Sequence, residues 1–155
     1  MEQGMTDDDA RQCEFDIQNL IVRLDLTISA NVKAIDPAVE RIMNLVAEMT
    51  CGEGREFEIE TAIREALANA IVHGCGEDSK QTVRVSVGCD ESRGMIIVVR
   101  DPGPGFDPAE LPSPVEGENL FAESGRGIYL INRLMDEVRF RAGGTEIWMR
   151  KHPGK

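Results

Sequence analysis

Leu20, Val22, Leu24, Leu26 and Ile28 alternate with Arg23, Asp25 and Thr27, the period of two that turns one face of a strand toward a core. A first strand over residues 20–28 is expected. Asp36 and Pro37 then offer a cap and a first-turn proline, and Val39, Ile42, Met43, Val46 and Ala47 recur at helical spacing. This predicts a helix over residues 37–49, with residues 51–55 as its exit turn.

The strongest helical pattern is EFEIETAIREALANAIVHG. Acidic residues crowd its start, where they suit the helix dipole, and Gly74 stands where a C-terminal cap belongs. The pattern predicts a helix over residues 56–73. TVRVSVGC and MIIVVRD read as a hairpin turning across residues 90–94. Residues 102–125 are rich in Pro and Gly, keep no period, and are too long for an ordinary connection, which marks a functional loop. GIYLINRLMDEV resumes helical spacing, and VRFRA and TEIWMRK close the chain as a second hairpin around Gly143 and Gly144. The order strand, helix, helix, strand, strand, loop, helix, strand, strand implies an α/β fold of the α+β type, a two-layer sandwich with about three helices on one face of a mixed, mainly antiparallel sheet.

A length of 155 residues suits one domain, taken as residues 17–152, which needs no metal or disulfide to stabilise its core. Residues 1–16 have no apolar period and carry Asp7, Asp8 and Asp9 in a run, so a flexible acidic tail is expected there. The net charge of -11, from 17 basic and 28 acidic residues, argues against direct contact with nucleic acid or a membrane surface. Neither a spanning apolar stretch nor a signal peptide is evident, which points to the cytoplasm. Cys13, Cys51, Cys75 and Cys89 form no CxxC pair and are expected to be reduced, structural thiols.

Three short segments carry chemistry. On an ideal helix Glu65, Asn69 and His73 form one stripe beside the apolar face of Ile59, Ala62, Ile63, Ala66 and Ala70. The alanines leave room for a ligand, Asn69 offers a neutral oxygen to a hard cation, and Glu65 can accept a proton. DPGPGF follows an apolar strand. Its Asp101 can accept a bond from an exocyclic amine, while Gly103 and Gly105 let backbone approach a flat ring. In SGRGIYLI, Gly125 and Gly127 introduce a helix whose free N–H groups suit phosphate. Taken singly, these segments are a helix flank, a turn and a cap.

Their order and spacing resemble the N box (EALANAIVHG) and the two glycine boxes (DPGPGF and GRGIYLI) of the GHKL ATPases, which have the Bergerat fold. More narrowly, LDLTISA, NAIVHG and GRGIYLINRLMDEV resemble the bacterial anti-sigma factor serine/threonine kinases of the RsbW type, over residues 24–151. The resemblance implies ATP and Mg2+ as ligands, Asn69 as the magnesium ligand and Glu65 as the general base. It implies Asp101 as the adenine-recognising carboxylate, with Gly103, Gly105 and Phe106 beside it and Thr145 assisting the base contact. In the same comparison Gly125, Arg126 and Gly127 meet the phosphates, and residues 106–124 form a lid.

The function implied is an anti-sigma factor that holds a sigma factor inactive and phosphorylates a small anti-anti-sigma protein of the STAS type on serine or threonine. Homodimerisation is implied by the family alone. The competing reading is a module that binds nucleotide to capture a partner, without turnover. A histidine kinase would need an upstream helical hairpin bearing the phosphoacceptor, for which the residues before Leu20 leave no room.

Overall fold

The computed structural model describes residues 22–48, 51–76, 78–90, 93–103 and 123–153. Among these residues five strands form one sheet: β1 (Val22–Ser29), β2 (Thr82–Asp90), β3 (Gly94–Arg100), β4 (Glu137–Arg141) and β5 (Glu146–Lys151), in the spatial order β1-β2-β3-β5-β4. Every described pairing is antiparallel, so the parallel component expected of a mixed sheet is not found among the described residues. The helices are α1 (Ile35–Glu48), α2 (Glu56–Asn69) and α3 (Glu123–Leu134). The expected acidic tail lies outside the described residues. So does the expected lid, except that Glu123 and Ser124 belong to α3.

Period-two alternation seats the sheet on the helices. Leu24, Leu26 and Ile28 stand opposite Val87, Val85 and Val83 on β2. Val87 and Val85 in turn face Ile97 and Val99 on β3, which face Met149 and Ile147 on β5. This row packs on Ile42 and Val46 of α1, Ile59, Ile63 and Leu67 of α2, and Ile131 of α3, forming one core cluster. Burying an aliphatic side chain of this kind contributes roughly 1.5–3 kcal/mol. Asn31 caps the 3-10 turn Val32–Ala34, its Oδ1 accepting from the Lys33 N–H at 2.8 Å, and that turn leads directly into α1.

Two polar ties hold the rim. Lys151 Nζ donates to the Leu134 carbonyl at 2.5 Å and lies 3.4 Å from Glu58 Oε2, so the last strand neutralises the C-terminal end of α3. A disulfide joins Cys51, in the turn after α1, to Cys89 at the end of β2, with Cα atoms 6.3 Å apart. This corrects the expectation of reduced thiols: the pair is 38 residues apart in sequence, and only the sheet brings it together. Cys75 is free and buried. Among the described residues no helix is long and apolar enough to cross a membrane.

Closing a loop of 38 residues restricts the unfolded chain by about 3–4 kcal/mol in the chain-entropy model. Urea unfolding with and without reductant should show a loss of that order, and Cys51→Ser/Cys89→Ser should unfold at the same midpoint with or without reductant.

Candidate functional site

α2 carries the first half of the site. The helix is α-helical through Asn69 and then widens into a π-turn over Ala70–Gly74, in which the Cys75 N–H donates to the Ala70 carbonyl, five residues back, at 2.9 Å. Single π-turns of this kind are frequent at functional sites. The extra residue rotates the backbone downstream of it, so the stripe expected from ideal spacing is broken. Glu65 is half-buried and Asn69 is buried, while His73 is exposed to solvent. Asn69 makes no side-chain capping bond at this junction.

The second half is the exit of β3. Asp101 Oδ1 accepts the Gly103 N–H at 2.8 Å, which folds the chain into a tight turn directly after the strand. The Asp101 N–H donates to the Thr145 carbonyl at 3.0 Å, placing the start of β5 beside it. The Thr145 hydroxyl donates to the Ala142 carbonyl at 2.8 Å, within the turn joining β4 and β5. The end of α2 presses into this turn. A Cβ on Gly74 would lie 2.4 Å from Asp101 Cγ, and one on Gly103 would lie 1.9 Å from the Gly74 carbonyl oxygen. Gly103 therefore requires glycine, and a Cβ at Gly74 would displace the Asp101 carboxylate. Sequence reasoning gives Gly74 only a helix cap, but it is also the surface on which the Asp101 carboxylate rests.

α3 completes the arrangement. It begins at Glu123, so Gly125 and Arg126 fall in its first turn, where backbone N–H groups lack intrahelical partners. Gly127 lies one residue further in, on the second turn, rather than ahead of the helix as expected. It is buried against α2, and a Cβ there would meet Glu65 Oε2 at 3.0 Å. The pair therefore marks the seam between α2 and α3. Gly105 and Phe106 lie outside the described residues. Asp101, Gly103 and Thr145 thus gather at one end of α2, with Glu65 and Gly127 at its flank and Asn69 on the helix between them.

Burial pushes the Asp101 carboxyl above its ordinary value of 3.8, and the bond from Gly103 only partly opposes this. A raised folded-state pKa favours folding while the group is protonated, fully below 3.8, and that contribution is lost as pH rises through the folded value. Asp101→Asn keeps the acceptor for Gly103 without the buried charge. The ligand-free variant should be more stable than the parent near neutral pH and lose the decline above about pH 4, as read from urea midpoints across that range. Gly103→Ala should destabilise the fold or displace the β3 exit, because the clash is with backbone and cannot be relieved by a side-chain rotation.

The family model of the histidine kinase-like ATPase domain matches residues 28–151. The chain is 30% identical over 132 residues to the anti-sigma F factor of Priestia megaterium, spanning 82% of this chain and 80% of that one. It is 32% identical over 136 residues to the anti-sigma F factor of Geobacillus kaustophilus (strain HTA426), spanning 84% and 82%. To the serine-protein kinase RsbW of Bacillus licheniformis it is 34% identical over 101 residues, spanning 61% and 62%. The family match runs from the end of β1 to the end of β5 and takes in α2, the β3 exit and α3 together, and the chain belongs to the histidine kinase-like ATPase domain family.

Proposed function

We propose that this chain is an anti-sigma factor that uses ATP to phosphorylate serine or threonine on a protein antagonist, and that it works in the cytoplasm. The reading is supported by the names of its relatives, anti-sigma F factor and serine-protein kinase RsbW. The observation that carries the chemistry is the Glu65 carboxylate at the seam of α2 and α3, its Oε2 facing the bare backbone of Gly127. A carboxylate held there can take the proton of an attacking hydroxyl, whose oxygen bonds to the γ-phosphorus as the bond to the ADP oxygen breaks.

The other residues bind and orient. Asp101 accepts from the adenine amino group, with Gly74 and Gly103 packed so as to hold its carboxylate at the β3 exit and Thr145 beside it. The first-turn N–H groups of α3 at Gly125 and Arg126 are suited to phosphate oxygens. Gly105 and Phe106 belong to the same pocket in this reading, and residues 106–122 to its cover. Asn69 fits a magnesium site in that its side chain supplies a buried neutral oxygen. Magnesium that keeps waters and phosphate oxygens needs few protein ligands, and when bound it supplies charge neutralisation on the phosphates.

The protein partners in this reading are a sigma factor and an anti-anti-sigma protein of the STAS type, with a homodimer as the working assembly. Glu65→Ala should bind ATP nearly as the parent does while phosphotransfer to such an antagonist falls by about 10²–10⁴-fold. Calorimetry for binding and labelled ATP for transfer check the two arms. Parent protein that binds ATP and transfers nothing would leave a partner-capture module, and parent protein that binds no adenine nucleotide would overturn both.

A further inference from the structure

The helices occupy one face of the sheet, and the opposite face has an apolar centre of its own. Strand register lays three rows across it. Arg23, Gly88, Ile96, Arg150 and Glu137 form one, and Asp25, Ser86, Val98, Trp148 and Arg139 the next. Thr27, Arg84, Arg100, Glu146 and Arg141 form the third. Ile96 and Val98 are 0% exposed and Trp148 is 6% exposed, and they form a cluster separate from the main core. The buried side chains of α1 and α2, and Ile131 of α3, belong to the main core, so these helices do not seal this centre. Arg100 and Arg141 lie over the indole of Trp148 at 5.6 and 5.9 Å from its centroid, which covers the ring but adds charge around it.

The charge of this face is opposite to that of the chain. Its three rows hold six arginines against the three carboxylates Asp25, Glu137 and Glu146, on a protein of net charge -11. Asp25 is held below the ordinary carboxylate range by the Ser86 hydroxyl, with Arg23 and Arg100 adding to the effect. A sheet face that is both apolar and basic suits an occupant that is apolar and acidic.

We propose that this outer face is the docking site of the chain's own N-terminal segment, residues 1–21. The segment has the matching chemistry: Phe15, Ile17 and Leu20 are apolar, and Glu2, Asp7, Asp8, Asp9, Glu14 and Asp16 stand against the single basic side chain of Arg11. It also enters at the right place, since it leads into Val22 on β1, next to Arg23 at the corner of the first row. Trp148 on β5 is three strands away in the order β1-β2-β3-β5. At about 4.8 Å per strand this is roughly 14 Å, which four or five extended residues can span. The acidic run then reaches the arginines of the third row. The inference rests on the sheet and the charge pattern and is independent of the nucleotide site.

Trp148 is the sole tryptophan, so its fluorescence reports on this face alone. The full-length protein should show blue-shifted emission and weak acrylamide quenching, both unchanged on dilution. Full-length Phe15→Ala/Ile17→Ala and Asp7→Asn/Asp8→Asn/Asp9→Asn should each shift the emission to the red and raise quenching severalfold, while far-UV circular dichroism stays that of the parent. Deletion of residues 1–16 should do the same, and if the shortened chain does not fold, the two full-length variants decide. Unchanged quenching in both variants would overturn the proposal. Protection that disappears on dilution of the parent would also overturn it, assigning the face to a second copy of the chain.

Discussion

The contact on which the candidate site depends is the one between the end of α2 and the exit of β3. Gly74, Asp101 and Gly103 meet there at distances that admit no Cβ on either glycine, and the Asp101 N–H is tied to the Thr145 carbonyl. A helix terminus, a strand end and the start of the last strand are thereby fixed to one another through backbone. The carboxylate is held partly desolvated at the centre of this junction, which costs stability in the ionised state.

The π-turn over Ala70–Gly74 is what makes the junction geometrically accessible. An uninterrupted α-helix would keep His73 on the same stripe as Glu65 and Asn69. The extra residue instead sends His73 to solvent and directs Gly74 at Asp101. Glu65 and Asn69, upstream of the π-turn, keep the relation that ideal helical spacing predicts. The change in hydrogen-bond pattern thus separates Glu65 and Asn69, which lie before it, from Gly74, which packs on Asp101 after it.

The two faces of the sheet are stabilised differently. The inner face is aliphatic and meets the helices in one continuous core. The outer face surrounds three apolar side chains with ion pairs, among them Arg100 Nε with Glu146 Oε2 at 3.1 Å and Arg150 with Glu137. The side chains of these pairs are largely buried, so their attraction is set against the cost of desolvating both partners. The sign of the local field comes from the excess of arginine in these rows, six against three carboxylates, and it opposes that of the whole chain.

Features carried by residues close in sequence are legible from the chain itself. The period of two in LIVRLDLTI and the helical spacing in ERIMNLVAEM and EFEIETAIREALANA place the starts of β1, α1 and α2 to within two residues, because each pattern is the imprint of one buried face. Asp101, Gly103, Glu65 and Asn69 stand out by local chemistry, and the family by the order of their motifs. Relations between distant residues are another matter. The Cys51–Cys89 bond, the all-antiparallel order β1-β2-β3-β5-β4 and the packing of Gly74 on Asp101 each join positions with no local mark of one another. The same holds for Trp148, whose strand is clear from its sequence but whose side of the sheet depends on its pairing with Val98 and Arg139. Sequence alone determined the elements and the chemical types at the site, since both are written in local spacing. Only the tertiary structure decided which of them touch, because long-range register and close backbone approach arise from packing and leave no periodic trace in the chain.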